Sequence, residues 1–224
     1  MSQRILAPLL MLLLCVATPA AAVESGRPQE LIDEAKIAVG VLLRDENMGK
    51  HVKTSIRNAR AVIIVPSLVK GGFILGGGGG SGVLLARTET GWSAPTFITM
   101  GEASIGLQLG VSVSEVLFTV MTDKGLTAMM EDKVRFGADI EAVGGPVGAS
   151  RGAGSTTELA ADIFTYAAGQ GLFVGGAFES AYFEKRDDWN ALYYGRNVSA
   201  QDIVGDPAIT NPGADALRAA LSGI

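Results

Sequence analysis

From residue 31 the chain alternates between two periodicities. Leu31, Ala35, Val39 and Leu42 recur at helical spacing, which predicts a helix over 31–43 with Pro28 in its first turn. Asp45-Glu46-Asn47 breaks that pattern. A second helix is expected over 46–57, fraying toward Arg60. Met48, Val52, Ile56 and Ala59 fall on one face, and Lys50, Lys53, Arg57 and Arg60 on the other. The period then shortens to two. Short apolar, β-branched or aromatic runs predict strands over 61–65, 72–75, 82–87, 96–101, 105–113 and 116–122. Pro66-Ser67 reads as a turn, and the glycine tract 76–80 as a hinge between strands. Residues 88–91 read as a hairpin turn, with Gly91 supplying a positive φ.

Past residue 122 the elements shorten. Asp123 is the expected cap of a helix over 124–132, whose core side is Leu126, Met129 and Met130. Further strands are predicted over 134–140, 142–150, 163–168 and 172–184, with a small-residue turn over 151–157. Helical turns follow over 189–194 and 200–204, the latter capped by Ser199. A last helix spans 214–221, opened by Asn211 or Pro212. Glycine recurs in nearly every strand, where it costs entropy and packing and marks bends or close approaches. A strongly curved sheet uses such kinks. The fold class expected is therefore α+β and β-rich. A curved antiparallel sheet closes into a small barrel or sandwich, flanked by N-terminal and C-terminal helices.

Composition adds an address. Arg4, the apolar run 5–16 and Ala20-Ala21-Ala22 form the three parts of a signal peptide, with cleavage expected after Ala22 and export to the periplasm or cell envelope. Cys15 raises lipoprotein anchoring, but Leu14 stands where a lipobox wants a small residue, so simple cleavage is preferred. The division expected is a signal peptide over 1–22, a polar lead-in over 23–30, a main domain over 31–204 and a helical tail over 205–224. Cleavage would remove Cys15, the single cysteine, and with it disulfide, thiol and cysteine–metal chemistry.

Charge sharpens the reading. The net charge of −5 argues against a nucleic-acid partner, which usually meets a basic footprint. Yet residues 47–88 contain no acid and carry Lys50, Lys53, Arg57, Arg60, Lys70 and Arg87 together with His51. A cationic island on an acidic chain is a candidate anion site. A helix with one basic face suits an anionic membrane surface.

The sequence offers few catalytic or cofactor motifs. His51 is the single histidine, with no base or orienting partner that spacing can assign. Gly148-Ala149-Ser150-Arg151-Gly152 matches a nucleophile elbow, but no histidine follows Ser150. The glycine tract lacks the Gly-Lys-Ser/Thr of a phosphate loop and the strand-then-helix setting of a dinucleotide site. No calcium-loop or histidine-pair spacing is present. A non-enzymatic protein without metal or cofactor is expected, with a Ser150 hydrolase the weakest alternative.

Several motifs in order carry a resemblance: Ala59-Arg60-Ala61-Val62-Ile63-Ile64-Val65-Pro66, Lys70-Gly71-Gly72-Phe73, Gly82-Val83-Leu84-Leu85-Ala86-Arg87 and Gly91-Trp92-Ser93-Ala94-Pro95. Gly106-Leu107-Gln108-Leu109-Gly110, Gly171-Leu172-Phe173-Val174-Gly175, Glu179 and Tyr194-Gly195 extend it. Over 31–204 the chain resembles the SYLF-domain family. The departure is at 77–81, where many members carry an aromatic or charged residue. The resemblance implies lipid binding, with phosphoinositide and membrane contact in eukaryotic members, some of which also bind actin. It implies that an N-terminal amphipathic helix and basic residues make the contact, here Lys50, Lys53, Arg57, Arg60 and Lys70. The partner expected is an anionic phospholipid or membrane surface. Actin is not expected for an exported protein. The alternative is an envelope scaffold with no lipid ligand.

Overall fold

A computed structural model describes residues 20–72, 75–105, 110–145, 161–169 and 181–224. Helix α1 (Ala20–Arg44) and helix α2 (Gly49–Asn58) lead into strands β1 (Ala61–Gly72), β2 (Leu75–Thr88), β3 (Gly91–Trp92), β4 (Thr96–Ile105) and β5 (Gly110–Val120). Helix α3 (Asp123–Met129) precedes strands β6 (Lys133–Arg135), β7 (Ala142–Gly144), β8 (Ile163–Gly169) and β9 (Ala181–Lys185). Helices α4 (Asp187–Tyr194), α5 (Ala200–Gly205) and α6 (Asp215–Ser222) end the chain, α6 after a 3₁₀ turn over Pro212–Ala214.

The strands form one sheet in the order β6-β9-β4-β2-β1-β5-β8-β7, with β3 hydrogen-bonded to β2. Every neighbour pair is antiparallel except β7 with β8, which is parallel. The sheet curls into a half-barrel, flanked by the N-terminal and C-terminal helices. The expected α+β class therefore holds.

Alternation along the strands separates two cores. Val62, Ile64, Val83, Leu85, Phe97 and Leu117 meet α1 and α2, burying Ile32, Leu42, Val52 and Ile56. Ile63, Leu84, Ile98, Met100 and Phe118 lie on the other face, where the Phe118 ring meets those of Phe136 and Phe183 edge to face. Among the described residues no helix is long and apolar enough to cross a membrane.

The central strands are longer and more continuous than the sequence pattern predicts. The runs 61–65 and 82–87 belong to strands of 12 and 14 residues, and the supposed hinge 76–80 lies inside β2. Gly78 and Gly79 pair with Lys70 and Val69 on one side and with Glu102 and Gly101 on the other. Their backbone groups are satisfied by two neighbours, which holds glycine in a strand that its own propensity disfavours. Pro66-Ser67 is a bulge, not a turn. The register shifts between Val65 and Leu68 and the strand continues. Of the predicted run 105–113, Ile105 ends β4, 106–109 lie outside the described residues, and 110–113 are continuous in β5 with the run 116–122, which stays in the strand as far as Val120.

Local signals read more reliably. The Glu89-Thr90 loop closes a hairpin, with Gly91 at φ 132°. Ser199 and Asp202 form a reciprocal capping box at α5. Asn211 accepts from the Gly213 amide before α6. The cap of α3 is one residue earlier than expected. The Thr122 hydroxyl, not Asp123, accepts from the Gly125 amide, because Asp162 fixes that hydroxyl at 2.6 Å. The predicted strands 142–150 and 172–184 extend outside the described residues, as do Ser150 and the turn 151–157.

Candidate basic-helix site

Helix α2 is set by the corner before it. The Asp45 carboxylate accepts from the amides of Asn47 and Met48 at 2.9 and 3.0 Å. A Cβ on Gly49 would stand 2.3 Å from the Leu43 carbonyl oxygen, so only glycine permits this tight junction between α1 and α2. Met48, Val52 and Ile56 then bury against the sheet. The opposite side of the turn carries Lys50, Lys53, Thr54 and Arg57, all exposed.

Four contacts hold the helix down. Ser55 and Tyr166 of β8 share a buried hydroxyl–hydroxyl bond of 2.5 Å. Burial pushes the Tyr166 phenol above its ordinary pKa, with Ser55 partly offsetting the effect. Arg87 of β2 donates to the Ile56 and Arg57 carbonyls at 2.8 and 3.2 Å, placing a cation at the negative end of the helix. Its guanidinium also lies 4.0 Å from the centre of the Trp92 ring. Arg57 donates to the Ile224 carbonyl at 2.6 Å. Arg60, just past the helix, pairs with Asp123 at 3.2 Å, both exposed.

The five sequence-named cations therefore divide. Lys50 and Lys53 make no ion pair among the described residues. Arg57 and Arg60 share the same end of α2 but already have partners. Lys70 is elsewhere. It lies in β1 with its side chain 9% exposed, 2.7 Å from Glu102 of β4, whose side chain is 2% exposed. Glu102 follows Ile98 and Met100 in the alternation of β4, so this pair is on the face of the sheet away from α2. The structure does not bring Lys70 to the helix. It brings Arg87 there, as an anchor for α2. Sequence proximity hid that role: Arg87 is 30 residues from Arg57 along the chain.

His51 is half-buried on α2. Ser150 lies outside the described residues. No group of three or more His, Cys, Asp or Glu side chains that could hold a metal occurs among the described residues.

The half-barrel and its basic helix define a small sheet domain presenting an exposed cationic surface. A family model described as "Ysc84: Las17-binding protein actin regulator" matches residues 101–224, and the chain belongs to this Ysc84, or SYLF-domain, family. The "SH3 domain-containing YSC84-like protein 1" of Bos taurus is 31% identical over 198 residues, 83% of this chain and 56% of that protein. "Protein YSC84" of Saccharomyces cerevisiae is 30% identical over 166 residues, 72% of this chain and 35% of that protein. "LAS seventeen-binding protein 3" of the same yeast is also 30% identical, with 72% and 36% covered. The chain thus spans about half or less of the curated relatives it matches.

Proposed function

We propose that this chain is an exported, non-enzymatic domain that binds anionic phospholipid headgroups through the exposed face of α2. One observation carries the reading. The buried stripe Met48, Val52 and Ile56 fixes the rotation of α2, so Lys50, Lys53 and Arg57 face solvent together within an acid-free stretch of sequence. Each such cation contributes about 1 kcal/mol near an anionic bilayer and is screened by salt. Three or four give weak, reversible, salt-sensitive attachment. Arg87 supports the site by holding the end of the helix, and Lys70 takes no part in it.

Vesicle co-sedimentation tests this. Binding to vesicles containing anionic lipid is expected at low salt, falling at moderate salt and in a Lys50/Lys53/Arg57→Ala variant. Equal binding to neutral and anionic vesicles would sink the reading. The second reading is a protein-docking scaffold. It draws on the names of the relatives, which refer to Las17 binding and actin regulation.

A further inference from the structure

The glycines of β2 divide by face. On the face away from the helices, a Cβ on Gly78 would stand 2.9 Å from Lys70 Cγ, and one on Gly80 or Gly82 would stand 2.6 Å from the Ser67 or Ile64 carbonyl oxygen. The bulged β1 and the Lys70–Glu102 pair fill that space. Gly77 and Gly79 belong to the helix-bearing face, where a Cβ would meet nothing closer than a carbonyl oxygen at 3.3 Å. Packing does not demand glycine at position 79. Its bareness instead leaves a smooth path across the sheet surface.

In register, Gly79 lies beside Gly101 of β4, and Gly101 beside Tyr182 of β9. The Tyr182 ring leans back across Gly101, filling the place where a Cβ would stand, and the residue is 44% exposed. Two residues along β2 and β4, and so on the same face, Ser81 pairs with Thr99. A row of hydroxyls thus runs beside the bare row. At the other end of the strip, under α1, is a cleft of about 360 Å³. Gly79 and Ser81 lie in its floor and Val69 in its wall, while Ser67, Arg27, Glu30 and Glu34 line its polar side. Val69 is 45% exposed, and Ser67 is exposed at the bulge of β1. The Ser67, Ser81 and Thr99 hydroxyls and the Glu34 carboxylate make no side-chain hydrogen bond or ion pair among the described residues.

We propose that this strip binds a neutral, extended polysaccharide, with one pyranose unit in the cleft and the next against the Tyr182 ring. A pyranose has apolar C–H faces and a rim of hydroxyls that both donate and accept. The strip offers the counterpart of each. Val69, bare glycine backbone and Tyr182 meet the ring faces, the aromatic ring attracting polarised C–H groups. Ser67, Ser81 and Thr99 donate or accept, Glu34 accepts and Arg27 donates to the hydroxyl rim. The cleft lies at the small end of ligand sites and suits a single sugar unit. The spacing of neighbouring strands, about 4.8 Å, is close to the length of one unit in a β-linked chain, so consecutive units reach the cleft and the ring. A β-1,4 chain is straight and lies along a flat sheet, whereas an α-1,4 chain coils away from it. Charge argues for a neutral chain. Glu30 and Glu34 outnumber Arg27 and disfavour a polyanion, while Arg27, 3.9 Å from Glu30, opposes a polycation. Gly79 is paired on both sides, by β1 and β4, so the floor presents no strand edge to an extended peptide. The site uses no residue of α2 and stands apart from the lipid reading.

The test titrates the full chain with two neutral β-1,4 tetrasaccharides, cellotetraose and the N-acetylglucosamine tetramer, by calorimetry. Saturable one-site binding of at least one is expected, with α-1,4-linked maltotetraose at least fivefold weaker. Tyr182→Ala should weaken binding about tenfold, and Tyr182→Phe should stay within about twofold of the parent because the ring remains. Glu34→Ala should weaken binding severalfold. Glu34 is exposed, so that variant keeps the proposal testable if Tyr182→Ala does not fold, with circular dichroism as the check. Gly79→Leu should block the path and abolish binding. The proposal is overturned by no saturable binding of either β-1,4 tetrasaccharide, or by equal binding of maltotetraose. Parent-like binding by folded Tyr182→Ala and Glu34→Ala proteins, tighter binding of a β-1,4-linked mannuronate tetramer, or displacement of the bound sugar by spermidine would overturn it equally.

Discussion

Lys53 and Lys70 come from the same acid-free stretch, yet the fold gives them opposite environments. Lys53 stands in water on the outer face of α2. Lys70 is buried in the middle of the sheet, balanced by Glu102 from two strands away, with Gly78 between them in register. A strand of consecutive glycines has no side chains with which to specify its register. A buried ion pair reaching across it from both neighbours supplies that specification at one position. The first lysine is available for binding; the second belongs to the architecture. A count of positive charge along the sequence cannot separate them.

Removing the carboxylate gives the largest expected effect. Glu102→Ala removes the carboxylate that faces the buried Lys70 ammonium at 2.7 Å and should cost about 3–5 kcal/mol in denaturant unfolding, whereas the double variant Lys70→Met/Glu102→Leu should recover much of that loss. Parent-like stability in Glu102→Ala would show that Lys70 is not held as described. The glycines come next. Gly80→Ala overpacks against the Ser67 carbonyl and should cost about 1–3 kcal/mol, while Gly79→Ala should stay under about 1 kcal/mol. Equal costs at the two positions would remove the distinction between the two faces of β2.

On the helix, Ser55→Ala strips the buried Tyr166 hydroxyl of its partner and should cost about 1–3 kcal/mol. Lys53→Ala, exposed and unpaired, should fall within about 0.5 kcal/mol of the parent. A large loss there would mean that the basic face is structural.

The smallest effect is a pH dependence. Burial alone would raise the Asp162 pKa. Hydrogen bonds from Lys124 and Thr122 and the Lys124 charge outweigh it and hold the carboxyl below its ordinary value. A depressed carboxyl pKa contributes stability that is present above the unfolded-state value and lost as pH falls through the folded-state value. Stability should therefore decline on acidification below about pH 4, and Asp162→Asn should flatten that decline. An unchanged acid limb in Asp162→Asn would exclude this linkage.

Much of the chain was legible without coordinates. The α1 and α2 periodicities, the Gly91 hairpin, the Ser199 cap and the division of α2 into apolar and basic faces all follow from spacing within a few residues. The opposing rows Met48, Val52, Ile56 and Lys50, Lys53, Arg57 needed only the helical period. The motif order also sufficed to place the chain in its family.

The glycine strand departs from its sequence expectation for a definite reason. Propensity treats five glycines as a break. Two neighbouring strands satisfy their backbone groups, and that partnership is contributed by residues some 8 and 24 positions away in sequence. Longer separations conceal Arg87 under the end of α2, Tyr166 beneath Ser55 and Glu102 beside Lys70.

The sequence by itself determined which residues are apolar, where helices cap and turns close, and that positive charge collects between residues 47 and 88. Tertiary structure alone decided which of those charges meets water and which meets a carboxylate. It also decided which glycines are packed against and which leave a cleft open. The physical reason is that period and propensity act over a few residues, whereas burial depends on what the sheet brings to the other side.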